Sequence, residues 1–194
     1  MKKIIILIPV FNDWESLKKL IEEINENIKS FQNIHFECLI INDASTINEH
    51  ELTNPSHIKS LEILNMKENR GHARCNAFGI RYVFQNKKFD YLILMDGDGE
   101  DRPEEIKQLV DNLNYHPDKP IVGERIERSE GIFFKLCYFV HKIITSTFTG
   151  QSIKYGNYTC LPRSTVEKMI NEKATWSSFS GSLAKVVKDR AIVP

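Results

Sequence analysis

The 194-residue chain predicts one α/β domain, a mostly parallel sheet flanked by helices on both faces. Three observations predict it. Short apolar, β-branched runs recur without polar alternation, as strands buried on both faces do. Segments with apolar residues three and four apart separate them. A cluster of polar residues directly follows each run, and in open α/β sheets ligands bind beyond the carboxyl ends of the strands.

The first strand is Ile4 to Ile8. Asn12 or Asp13 can cap the helix that follows, whose apolar face carries Trp14, Leu17, Leu20, Ile21, Ile24 and Ile28. A second buried strand, Phe36 to Ile41, ends in Asn42-Asp43-Ala44-Ser45. Leu61 to Leu64 is a short third strand closed by Asn69-Arg70-Gly71, and a helix from about Ala73 to Phe84 follows. Tyr91 to Met95 is the fourth strand and runs straight into Asp96. Pro103 opens a helix with Glu104 and Glu105 in its first turn, where acidic residues suit the helix dipole. Ile121 and Val122 make a fifth strand.

After Gly123 the pattern changes. Ile132 to Phe148 is long, apolar and helical in character, but Lys135, His141 and Lys142 interrupt it. A membrane span needs about 20 largely uncharged residues, so an amphipathic or partly buried helix is expected. A helix around Arg163 to Ile170 follows, and Leu183 to Pro194 reads as a helix going into a strand.

Lysine plus arginine equals aspartate plus glutamate, at 26 each. The basic excess of a nucleic-acid binder is missing. Cys38, Cys75, Cys137 and Cys160 are scattered, with no zinc spacing, and read as reduced thiols of a cytosolic protein. The apolar N-terminus lacks a small-residue cleavage site, so a first strand explains it better than a signal peptide.

The sharpest feature is Asp96-Gly97-Asp98-Gly99-Glu100-Asp101-Arg102-Pro103. Four carboxylates so close together repel one another unless a cation neutralises them. Alternate residues of an extended segment share a side, so Asp96, Asp98 and Glu100 could face one ion, and hard oxygen ligands suit Mg²⁺ or Mn²⁺. An EF-hand would need glycine and glutamate where Asp101 and Lys107 stand. A phosphatase of the haloacid-dehalogenase type would place its D-x-D after the first strand. A solvated acidic turn is the bland alternative.

Four motifs in order resemble glycosyltransferase family 2. They are Pro9-Val10-Phe11-Asn12-Asp13 after the first strand, Asn42-Asp43-Ala44-Ser45 after the second, Asn69-Arg70-Gly71 after the third, and the D-x-D after the fourth. The resemblance covers essentially the whole chain and implies a GT-A, Rossmann-like fold. A closer similarity is to the branch of dolichyl-phosphate-mannose synthase and the undecaprenyl-phosphate glucosyltransferases. There Glu100 takes the third metal-facing position, Arg125 follows the fifth strand, and Gly156-Asn157-Tyr158 opens a turn ahead of a helix. This chain departs from the pattern at Asn42 and Asn157, each standing for an acid, and at Asp13, where glutamate is commoner.

The resemblance implies a nucleotide-diphosphate sugar donor held by Pro9, Val10, Phe11, Asp13, Asp43, Gly71, Arg74, Asp96 and Gly97, with metal at Asp96, Asp98 and Glu100. Asp98 and Arg125 are the expected catalytic residues. Asp43 would accept from the base, unless it is merely a turn cap. Arg74 follows a helix N-terminus, which attracts phosphate. His72 reads as a packing or capping histidine. Transfer to a sugar hydroxyl usually needs a carboxylate base, yet no E-D pair occurs between Gly150 and Pro194. A polyprenyl phosphate acceptor, already ionised, needs none and is favoured over a glycan.

Residues 1–125 are thus expected to form the nucleotide-sugar half and 126–194 the acceptor half, truncated before a membrane-associated region. A cytoplasmic site at the inner face of the membrane is expected. Rival readings are transfer to a saccharide hydroxyl, nucleotidyl transfer and a non-catalytic nucleotide-sugar binder. A nucleotidyltransferase usually has a Gly-rich loop after the first strand, and Pro9 to Asp13 has none.

Overall fold

The computed structural model describes residues 1–47, 52–124 and 155–193. Among them a seven-stranded sheet forms the centre, in the order β3-β2-β1-β4-β6-β5-β7. The strands are β1 (Lys2–Val10), β2 (Ile34–Asn42), β3 (Ile58–Asn65), β4 (Tyr91–Leu94), β5 (Ile121–Glu124), β6 (Tyr155–Pro162) and β7 (Ala191–Val193). β1, β2, β3 and β4 run parallel, while β6 enters antiparallel between β4 and β5.

Alternation along β1 divides the core between the two faces. Ile4, Ile6 and Ile8 pack with Trp14, Leu17 and Ile21 of α1 (Trp14–Ile28) and with Ile106 and Leu109 of α3 (Ile106–Asn112). Ile5 and Leu7 pack on the other face with Cys75, Ile80 and Val83 of α2 (His72–Asn86). That second cluster also holds Val166 of α4 (Arg163–Asn171) and Leu183 of α5 (Phe179–Val186). β1 is therefore covered on both sides, which is why its sequence carries no polar alternation.

Asp13 caps α1 by accepting from the Ser16 N–H at 3.2 Å, satisfying one orphan donor of the first turn. At Gly79 a Cβ would stand 2.5 Å from a Leu7 methyl, so glycine lets α2 settle onto the sheet.

Two expectations need correction. Gly156-Asn157-Tyr158 lies within β6 and does not open a turn. The residues on either side of it are paired, Thr159 with Leu94 of β4 and Tyr155 with Glu124 of β5, and this tertiary pairing carries the segment through as strand. Pro103 starts a 3₁₀ turn, Pro103–Glu105, in which the Glu105 N–H bonds the Arg102 carbonyl, and α3 begins only at Ile106. Arg125, Lys135, Cys137 and the apolar run 132–148 lie outside the described residues. The other three cysteines are buried free thiols. No helix among the described residues is long and apolar enough to cross a membrane.

Candidate active site

Because β1 to β4 are parallel, the loops after Val10, Asn42, Asn65 and Leu94 emerge on one edge of the sheet. Polar side chains lock these loops together. Asn12, at a positive φ of 58°, accepts at Oδ1 from the N–H groups of Thr46 at 2.7 Å and Ile47 at 3.1 Å. Its own N–H donates to Ser45 Oγ. Asn42 accepts from the Ser45 N–H at 2.9 Å and donates its amide to Asn65 Oδ1 at 2.7 Å. An amide serves here because one end must accept and the other donate, which a carboxylate cannot do. That is the physical content of asparagine at 42.

Asp43 is 4% exposed, and both its oxygens are engaged. Oδ1 accepts from the Arg70 N–H and Oδ2 from the Gly71 N–H, each at 2.8 Å. Gly71, at φ 82°, is the N-cap of α2, and a Cβ there would meet nothing within 4 Å. Its backbone conformation, not space, calls for glycine. The third-strand turn is thus clamped onto the end of β2, fixing where α2 starts.

The Asp96–Asp101 segment folds back on itself. Asp101 accepts from the Asp96 N–H at 2.8 Å, and Asp98 Oδ1 accepts from the Glu100 N–H at 2.9 Å. Gly99 sits at φ 78°. At Gly97 a Cβ would stand 2.6 Å from the Pro9 carbonyl oxygen, so only glycine lets this segment pass against the β1 loop. The two segments enclose a cavity of about 330 Å³ lined by Pro9, Val10, Phe11, Asp13, His72, Asp96, Gly97 and Asp98.

Seven of the sequence-predicted residues therefore meet on one cavity. Asp43 and Gly71 stand behind it as its frame, and Arg74 and Glu100 do not line it. Asp96 and Asp98 share the wall, but no three acidic, histidine or cysteine side chains are gathered as an ion cage among the described residues. The expected trio of Asp96, Asp98 and Glu100 is not brought together.

Two residues that sequence reasoning had set apart from the donor site join it. His72 Nε2 lies 3.0 Å from Asp96 Oδ1, and Asn157 Nδ2 donates to the same oxygen at 3.2 Å. The hydrogen bond to Asp96 raises the His72 pKa above its ordinary value, against the opposing effect of burial. Beneath them Tyr158 is buried and donates its hydroxyl to the Arg102 carbonyl at 3.1 Å, pinning the acidic loop to β6. The one local signal for His72 was its place at the start of a helix after a strand-ending turn.

Residues 5–172 match the family model described as Glycosyl transferase family 2. Among solved structures, the chain is similar to Staphylococcus aureus TarS 1-349, at 12% identity and a TM-score of 0.58, covering all of this chain and 58% of that one. It is similar to the mannosyltransferase PcManGT from Pyrobaculum calidifontis, solved with GDP-Man and Mn²⁺: 18% identity, TM-score 0.58, 98% of this chain and 54% of that one. Glucosyl-3-phosphoglycerate synthase from Mycobacterium tuberculosis, solved with Mn²⁺, UDP and glucosyl-3-phosphoglycerate, gives 10% identity and a TM-score of 0.60 over 86% of this chain and 59% of that one. The chain spans somewhat more than half the length of these structures, and the likeness is one of fold.

Proposed function

Because the chain belongs to glycosyl transferase family 2, we propose that it transfers a sugar, with inversion, from a nucleotide-diphosphate sugar to a polyprenyl phosphate. The observation that carries the donor half is the cavity where Pro9, Val10 and Phe11 face His72, Asp96 and Asp98. Phe11, 47% exposed, offers an aromatic face to a base, and the α2 N-terminus behind Gly71 offers unpaired N–H groups to phosphate. Arg74 stands in the first turn of that helix.

The donor set suits a divalent ion. Mg²⁺ and Mn²⁺ take hard oxygen ligands, and Mg²⁺ is commonly bound by one or two carboxylates plus the substrate's own phosphates. Asp96 and Asp98 supply two such carboxylates on one wall, so Glu100 need not complete a cage. When bound, the ion would neutralise the charge that develops on the departing diphosphate.

The acceptor half rests on chemistry. A phosphate acceptor needs no general base, only cations to seat it, and Arg125 and Lys135 are the residues we assign to that task. Such a substrate sets the enzyme at the inner face of the membrane. Arg125→Ala is expected to spare donor binding and slow transfer about 10- to 100-fold, the effect of one charge-assisted hydrogen bond. Wild-type turnover would remove that assignment. A saccharide hydroxyl is the rival acceptor, and labelled product separates the two: a lipid product partitions into organic solvent and a glycan stays aqueous.

The donor reading is tested by thermal shift with UDP-, GDP- and dTDP-sugars, with and without Mn²⁺. A ligand at about 100 times its Kd stabilises by roughly 2.7 kcal/mol. A chain that shifts with none of them in Mn²⁺ is not acting on a nucleotide sugar.

A further inference from the structure

Two donors from distant parts of the chain converge on one oxygen of Asp96. His72 opens α2 and Asn157 lies on β6, and their nitrogens stand 3.0 and 3.2 Å from Oδ1. Behind His72, Asn76 is 2% exposed. Its Nδ2 lies 3.2 Å from the same His72 Nε2, while its buried Oδ1 has no partner.

These contacts conflict as they stand. A carboxylate only accepts, so Nε2 must carry a hydrogen to bond Asp96. A protonated Nε2 then has no lone pair for an amide N–H. Turning the Asn76 amide through 180° presents Oδ1 to the Nε2 hydrogen, which removes the donor–donor contact and gives the orphaned oxygen a partner. The rotation leaves Nδ2 in the pocket that Oδ1 vacates, so what it settles is the contact with His72, whose Nε2 hydrogen is then shared between Asp96 and Asn76. The result is the same for the neutral Nε2–H tautomer and for the imidazolium, so it does not depend on the charge of the ring.

On the glycosyltransferase reading above, we propose that His72 is a positioning residue. Backed by Asn76 and opposed by Asn157, it fixes the Asp96 carboxylate in the orientation that would share a divalent ion with the donor's diphosphate. The terminal torsion of an aspartate is broad, and Asp98 and Asp101 stand within five residues to repel this one. Donors are needed to hold it. An aspartate at 157 would set a second negative charge against Asp96, which gives the amide there a reason. His72 itself is half exposed and lines the cavity, so its ring adds little to the core.

The test uses the full chain and calorimetric titration of UDP, GDP and dTDP in Mn²⁺, taking forward the tightest. His72→Ala is expected to raise its Kd about tenfold and, because it also removes the partner of buried Asn76, to lower the nucleotide-free Tm by only about 2–6 °C. His72→Gln, whose amide still donates, should recover most of the affinity, and Asn157→Asp should weaken it as His72→Ala does. With sugar donor, KM should rise more than kcat falls. Wild-type affinity in His72→Ala, or no recovery in His72→Gln, overturns the positioning role alone. A wild-type chain that binds none of the three nucleotides overturns the donor reading and this inference with it.

Discussion

Asp98→Asn is expected to remove metal-dependent nucleotide binding and to lower turnover by a factor on the order of 10²–10³, while the chain stays folded. The side chain is exposed on the cavity wall, and its only described bond is the one its Oδ1 accepts from the Glu100 N–H. Asparagine keeps an oxygen for that bond, so the turn survives. What it loses is the charge, and Asp96, Glu100 and Asp101 are then relieved of a like-charged neighbour. Metal-free stability should therefore hold within about 0.5 kcal/mol, as exposed substitutions usually do. A Tm series with and without Mn²⁺ and nucleotide reads both effects. Undiminished nucleotide affinity in Mn²⁺ would sink the role given to Asp98.

Asp43→Ala is expected to do the opposite, destabilising first and impairing binding as a consequence. Two backbone N–H groups, of Arg70 and Gly71, lose a buried charged acceptor together. Hydrogen bonds to charged groups contribute about 1.5–3 kcal/mol each, so the loss is roughly 3 kcal/mol or more. For a chain of this size that lowers Tm by about 10 °C. Asp43→Asn separates framing from base recognition. Its one oxygen keeps one N–H, and its amide nitrogen faces the other, so it should lie between wild type and alanine in stability. If Asp43 served the base alone, both variants would weaken nucleotide binding at unchanged Tm.

The strands were legible because burial on both faces leaves an unmixed apolar run, as in Ile4–Ile8 and Tyr91–Leu94. The cap at Asp13 was legible because its partner, Ser16, is three residues away. The clamp at Asp43 was not. Its partners lie 27 and 28 residues downstream and are backbone groups, which carry no side-chain signature. His72 escaped for a similar reason: its meaning comes from Asp96, 24 residues on, across the sheet edge. Asn157 reads as part of a turn because glycine beside it is a local signal, and antiparallel pairing on either side of it, Tyr155 with β5 and Thr159 with β4, outweighs that signal. The D-x-D marked the place of the site, but alternation along an extended segment failed for Glu100. Gly99 at φ 78° and the Asp98–Glu100 bond curl the segment away from extension.

The antiparallel insertion of β6 also sets a timetable for biosynthesis. β4 finds β1 as soon as it is made, but its other neighbour, Thr159 opposite Leu94, must still be translated. At cellular elongation rates that interval is on the order of 10 s. Throughout it a nascent chain displays Tyr91–Leu94 as a bare edge, the template on which strands from other molecules add. A chain terminated before residue 155 would lack the partner of that edge and be prone to aggregate, and holdase chaperones should be found on ribosomes stalled there.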